Sequence, residues 1–178
     1  MKTESEIPSM RFNDKMMPLM SLLQKDIVMA EIGVFSGEST RNFLDSGKIL
    51  HLFAIDPWIG GYDPGDYGSD CKNFNEVERL FIERISPYSK MVSILKMKGD
   101  EASKYFKDNS LDFVYIDANH KYEAVCQDIN IWSKKVKKGG FISGHDYRPD
   151  APGVVKAVKE IFGSPLAVLP DSSWIKNL

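Results

Sequence analysis

The chain has 178 residues, 43% of them hydrophobic, and a formal net charge of −2. That length and apolar content suit one globular domain with a real core rather than two. Basic and acidic residues are well mixed, which leaves no electrostatic footprint for nucleic acid and favours a small-molecule partner. No apolar run approaches the ~18 residues needed to span a bilayer. The opening Met1-Lys2-Thr3-Glu4-Ser5-Glu6 has acids and no apolar leader core, so the expected setting is the cytoplasm. Cys71 and Cys126 stand far apart without C-x-x-C spacing, which points away from a zinc site and from a disulfide framework.

After an aperiodic start, Met16, Met17, Leu19, Met20, Leu22 and Leu23 recur at helical spacing. Residues 1–26 are therefore expected to form an arm and a core-packed helix ahead of a domain over residues 27–178. An apolar run then reaches Glu31, and the turn Gly33-Val34-Phe35-Ser36-Gly37 follows. Thr40, Phe43 and Leu44 mark the inner face of a helix that Gly47 ends. The next run, Leu50 to Ile55, closes on Asp56-Pro57-Trp58. Residues 59–73, rich in Gly, Asp, Pro and Tyr, are long enough to be a binding loop or lid. Val77, Leu80, Phe81 and Ile85 give a further helix, and residues 91–95 a third strand. In the turn Lys98-Gly99-Asp100-Glu101-Ala102, Asp100 suits a helix N-cap as well as a ligand contact. Leu111 to Ile116 is a fourth strand ending in Asp117-Ala118-Asn119-His120. Tyr122, Val125, Ile129 and Trp132 face inward on the next helix, whose end carries Lys134, Lys135, Lys137 and Lys138 as a solvated cap. Gly139-Gly140 turns the chain into a fifth strand, Phe141 to Gly144, which ends in His145-Asp146-Tyr147. Pro152 opens the last helix, and residues 166–169 and 173–175 read as two short strands about a Pro170-Asp171 turn.

Strands alternating with helices make a parallel α/β sheet, whose ligands sit outside the carboxyl ends of the strands. A dinucleotide fingerprint needs a middle glycine so that bare backbone can approach a pyrophosphate, but here Val34, Phe35 and Ser36 fill the space between the glycines. Glu31, just before Gly33, disfavours an anionic ligand and suits a cationic one. Asp56, about 20 residues after the turn, stands where an acid bonds ribose hydroxyls. A ribose without phosphates beside a positive charge describes S-adenosylmethionine.

Four blocks in order, E-I-G-V-F-S-G-E-S-T, A-I-D-P-W, F-V-Y-I-D-A-N-H-K-Y-E-A-V and G-G-F-I-S-G-H-D-Y, resemble the class I S-adenosylmethionine-dependent methyltransferases, and within them methyltransferase family 24. The resemblance covers most of the chain, from Ile27 to Val158. It implies a single-domain Rossmann-like methyltransferase fold: a seven-stranded, mostly parallel sheet with a C-terminal antiparallel hairpin and helices on both faces. It also implies that Glu31, Gly33, Ser36, Gly37, Asp56, Trp58, Asp100 and Asp117 surround the donor. Trp58 would either stack on the adenine or wedge into the core, and Asp100 would lie near the adenine amino group.

Of the three histidines, His51 lies at the start of a strand, a structural position, whereas His120 and His145 follow the fourth and fifth strands on the ligand side. Asp117 and Asp146, with His145 beside them, suit a hard divalent cation such as magnesium. Similarity to catechol O-methyltransferases implies an aspartate ligand after the fourth strand and an acid-amide pair after the fifth; here the pair is His145-Asp146. The same similarity puts the basic residue at His120. Methyl transfer from a sulfonium requires the protein to align the acceptor and take its proton, and a histidine near its ordinary pKa of about 6.5 can do so at neutral pH. His120 is thus the expected base and His145 a second base or orienting donor. The expected reaction is O-methylation of a small-molecule or sugar-like acceptor. N-methylation of a small amine and a module that only binds the cofactor are the alternatives, and homo-oligomerisation is left open.

Overall fold

In the computed structural model, which describes residues 17–61, 63 and 68–178, β1 (Ile27–Ile32) lies in the middle of a seven-stranded sheet. β2 (Ile49–Ile55) and β3 (Val92–Leu95) extend it on one side, and β4 (Leu111–Ile116) and β5 (Val136–Gly144) on the other, all parallel. β6 (Ala167–Val168) and β7 (Trp174–Asn177) complete it, β7 running antiparallel to both β5 and β6, in the order β3-β2-β1-β4-β5-β7-β6. The chain moves outward from β1 to β3 and then returns to the other flank of β1. The strand order therefore reverses between β1 and β4, and a crevice opens above their carboxyl ends.

Alternating sheet residues feed two cores. On one face Met29, Phe113 and Tyr115 join Leu19 and Met20 of α1 (Met17–Ser21), Phe43 of α2 (Glu38–Asp45) and Phe81 of α3 (Phe74–Ile85). On the other, Ala30, Ile32, Val114 and Ile116 meet Ala102 of α4 (Gly99–Ala102), Ile129 and Trp132 of α5 (Tyr122–Trp132), and Val154 and Val158 of α6 (Pro152–Phe162). A strand covered on both faces must be apolar along almost its whole length, which is why β1 reads as a run rather than an alternation. Phe43 sits edge-on to Phe113 at 5.9 Å and Tyr115 at 5.1 Å. Truncating such a ring to alanine costs about 3–5 kcal/mol.

Several expectations need adjustment. The first helix covers Met17–Ser21; Leu19 and Met20 are core as expected, but Leu22 is exposed. Residues 1–16, and with them the predicted arm, lie outside the described residues, as do residues 62 and 64–67 of the predicted lid. Gly139-Gly140 lies inside β5 rather than ahead of it. The register shifts between Leu111 paired to Val136 and Phe113 paired to Phe141, so the intervening residues bulge, with Gly139 at φ 81°. The lysines after α5 are not merely a solvated cap: Lys135 pairs with Asp108 and Lys137 with Asp112, each at 2.7 Å. His51 bonds Ser93 Oγ at 2.9 Å between β2 and β3, a structural role. Among the described residues no helix is long and apolar enough to cross a membrane.

Candidate active site

The turn after β1 is shaped by close backbone approach. Gly33 has φ 84°, and a methyl group there would lie 2.1 Å from the Asp117 carbonyl oxygen, so only glycine lets the ends of β1 and β4 meet. Asp56, at the end of β2, ties the turn down. Its Oδ2 accepts the Val34 and Phe35 amides at 3.1 and 2.9 Å, and its Oδ1 accepts the Trp58 amide at 2.7 Å. Trp58 returns the contact through Nε1 to the Phe35 carbonyl at 2.9 Å, while Arg84 from α3 donates to the Ser36 carbonyl and to Ser36 Oγ. Phe35 at φ 46° and Trp58 at φ 45° hold a left-handed backbone that bulky residues rarely adopt. Strain of this kind collects where a surrounding frame over-determines it, as the Asp56 bonds do here.

Above the strand ends lies a cavity of about 250 Å³. Of the predicted residues, Gly33, Ser36, Asp56, Asp117, His120, His145 and Asp146 line it. Glu31, Gly37, Trp58 and Asp100 are not in its wall, and each has a physical reason. Glu31 is fully buried beneath the turn and accepts hydrogen bonds from Ser39 and from Thr40 Oγ1 at 2.7 Å, so it props α2 rather than facing a ligand. Burial pushes its carboxyl up to about 8. Gly37 has φ 82°, and a methyl there would sit 2.6 Å from Phe81 Cδ2, so its role is packing against α3. Trp58 takes the core alternative: it is 4% exposed and tilts against Phe81 at 5.2 Å. Asp100 lies in the first turn of α4 and not at its cap position, which is Lys98.

At the β4 and β5 ends the side chains converge. His120 stands between two carboxylates, with Nδ1 3.0 Å from Asp63 Oδ2 and Nε2 2.8 Å from Asp146 Oδ2. Asp117 Oδ1 is 3.9 Å from His120 Nε2 and 4.0 Å from His145 Nδ1, and His145 Nδ1 is 3.3 Å from Asp146 Oδ1. Arg148 Nε reaches Asp146 Oδ1 at 3.0 Å. One ligand atom each from Asp117, His120 and Asp146 lies within 4.8 Å of the others, a donor set of two carboxylates and one imidazole that fits a divalent cation. His145, predicted near the cation, stands beside this triad.

The charges here overturn the premise that His120 titrates near its ordinary value. Burial alone would lower its pKa, but the hydrogen bonds and charges of Asp117 and Asp146 prevail and hold it at about 11. His145 is likewise drawn up to about 9, against burial, by Asp117 and Asp146. Asp146 goes the other way: burial would raise it, and the two imidazoles hold it well below the usual carboxylate range. As the side chains stand, both imidazoles are proton donors at neutral pH rather than free bases.

Residues 30–147 match the family 24 model of the methyltransferase domain. The chain belongs to that family. An uncharacterized protein of Acanthamoeba polyphaga mimivirus is 31% identical over 141 residues; the match covers 76% of this chain and 59% of the relative, so the chain spans less than two thirds of that protein's length. Among solved structures, a TDP-rhamnose 3'-O-methyltransferase of calicheamicin biosynthesis superposes with a TM-score of 0.61 at 16% identity, covering 96% of this chain and 87% of that one. An S-adenosylmethionine-dependent O-methyltransferase from Thermotoga maritima gives a TM-score of 0.54 at 15% identity, over 80% and 47%. At these identities the two structures share the fold.

S-adenosylmethionine is the donor expected of this methyltransferase family, and the cavity fits it. A carboxylate has about four acceptor positions; three on Asp56 are taken by amides, which leaves Oδ1 room for one ribose hydroxyl. Glu38, at the start of α2, lines the cavity with Oε2 buried and unpartnered among the described residues, where the ammonium of the methionyl group would satisfy it. Asp63, Asp117 and Asp146 line the cavity at its other end, each within 4.0 Å of His120 or His145.

Sequence reading missed Glu38, Asp63, Arg84, Arg148, Asp128 and Gly153. Asp128 lies behind Gly99, with Oδ1 3.5 Å from where a Gly99 methyl would be, and burial and the Asp100 charge push it up to about 7. A methyl on Gly153 would meet the His120 carbonyl at 2.4 Å, so this glycine seats α6 against the His120 turn. A glycine one residue into a Pro-opened helix was the visible sign, because helix interiors otherwise disfavour it.

Proposed function

We propose that the chain is an S-adenosylmethionine-dependent methyltransferase that methylates a hydroxyl of a small, sugar-like acceptor beside a divalent cation held by Asp117, His120 and Asp146. The observation that carries this reading is the convergence of those three ligand atoms at the cavity end of β4 and β5. Bound there, a divalent cation would lower the pKa of an acceptor hydroxyl and orient it, which a carboxylate-clamped imidazole cannot do alone. The chain's own part is placement. Asp56 and Glu38 hold the donor at the β1 and β2 ends, and Asp117, Asp146 and His145 present hydrogen-bonding groups to the acceptor. Those polar groups match a polyol better than an apolar substrate. The sugar hydroxyl named for the calicheamicin enzyme agrees with this class, as a relationship of fold.

The test is transfer from methyl-labelled S-adenosylmethionine to a panel of sugars, catechols and primary amines, in chelator and then with added magnesium or manganese. Label is expected in hydroxyl acceptors, lost on chelation and restored by the cation. Label confined to amines would overturn the acceptor class. Activity that persists through exhaustive chelation would remove the cation.

A further inference from the structure

Among the described residues of the connection from β2 to α3, Asp63 lines the cavity and reaches the His120 turn. Asp63 is 57 residues from His120 in sequence, yet its Oδ2 accepts both the His120 amide at 2.8 Å and the His120 ring Nδ1 at 3.0 Å. Its side chain is 9% exposed, and its own amide is anchored on Ser69 Oγ at 2.6 Å. A carboxylate accepts only, so the ring carries a proton on Nδ1 whether the imidazole is neutral or charged. The opposite nitrogen, Nε2, is then the atom turned toward Asp117 and Asp146. Backbone and ring are fixed by the same oxygen, which removes both the translation of the turn and the rotation of the imidazole.

We propose that Asp63 is a positioning residue for methyl transfer: it locks His120 with Nδ1–H inward and Nε2 toward the acceptor end, so the β2–α3 connection completes the constellation at β4 and β5. The value of this contact to the reaction rests on the cation reading above, whereas the lock itself does not. Outer partners that orient a ligating histidine are typically worth about 10- to 100-fold in cation affinity or activity. Because both bonds end on one oxygen, an amide oxygen can replace it. Asp63→Asn should therefore keep the geometry without the charge, and Asp63→Ala should lose both.

The experiment uses the full chain and needs no acceptor. Hydrogen exchange of the His120 amide and the Nδ1–H signal of its ring are followed by NMR, and magnesium and manganese affinities by calorimetry, in wild type, Asp63→Ala and Asp63→Asn. The expected result is exchange at least about tenfold faster and cation affinity about 10- to 100-fold weaker in Asp63→Ala, with Asp63→Asn close to wild type in both. Unchanged exchange and an unchanged ring signal in Asp63→Ala overturn the lock. Equal loss of cation affinity in both variants, with the ring signal intact in Asp63→Asn, overturns orientation as the cause and leaves charge. A wild type that binds neither cation defeats the cation reading separately, and the two exchange measurements still decide for or against the lock.

Discussion

Glu31 pairs with Tyr115 across the sheet, two residues short of Asp117, and the two acids have opposite uses. At the β1 and β2 ends, Glu31 and Asp56 direct their oxygens to the protein: Glu31 to Ser39 and Thr40 of α2, Asp56 to three backbone amides. At the β4 and β5 ends, Asp117 and Asp146 face imidazoles and the cavity. The difference lies in where each strand emerges from under its helices. Glu31 is still inside β1 beneath α2, whereas Asp56 and Asp117 are just past their strands in the crevice, where Asp56 spends its oxygens on the glycine turn and Asp117 does not. One end is therefore a scaffold for the glycine turn, and under the proposed function the other end holds the groups that meet the acceptor.

The sharpest way to break this contrast is Asp146→Ala. That substitution removes a carboxylate contacting His120, His145 and Arg148 at once. Turnover is expected to fall by about 10²–10⁴-fold, while S-adenosylmethionine affinity by calorimetry changes less than about threefold, because the donor's seat lies at the other end. A loss of turnover below about tenfold, or an equal loss of donor affinity, would mean that the two ends are not separate.

The order of strands and helices was legible because apolar runs and helical spacing are local properties. Asp117, His120, His145 and Asp146 were legible for a similar reason: each follows a strand end, and the fold rule places such residues in the crevice. What could not be read was the direction of a side chain set by a distant partner. Glu31 looks the same in sequence whether it faces a ligand or Ser39 and Thr40. Asp63 has no period around it, and its partner is 57 residues away. The protonation of His120 escaped for the same reason, since its ordinary pKa gives no hint of Asp117 and Asp146 beside it.

A middle-sized effect is expected at Asp56. In Asp56→Asn the amide oxygen can still accept from Val34 and Phe35, but the NH2 group would confront the Trp58 amide, which then lacks an acceptor. Such an unmade bond costs about 1–3 kcal/mol, visible as a lower denaturant midpoint. Donor affinity should fall with it, by about tenfold, because the ribose position and the turn share one carboxylate. Weaker donor binding with full stability would make Asp56 a ligand contact alone. Lost stability with intact affinity would make it scaffold alone.

The smallest effect on the donor is expected from Glu31→Gln, and its signature is pH dependence instead. The glutamine oxygen can still accept from Ser39, its NH2 group can donate to Thr40 Oγ1, and an uncharged side chain spares a fully buried site the desolvation and the repulsion from Asp117 and Asp56 that the ionised carboxylate meets at high pH. In the folded wild type the Glu31 carboxyl keeps its proton up to about pH 8, against an ordinary value of 4.5. Between those two values the folded state binds a proton that the unfolded state does not, so stability from this group is fully present below 4.5 and is lost as pH rises through 8. Urea unfolding of the wild type should therefore show stability falling from pH 5 to pH 8, with a flatter profile in Glu31→Gln. Donor affinity should change less than about threefold, since no part of Glu31 reaches the cavity. A tenfold loss of S-adenosylmethionine affinity in a stable variant would restore Glu31 as the partner of the sulfonium. It would also shift the division between scaffold and chemistry from the β1 and β4 ends into the glycine turn itself.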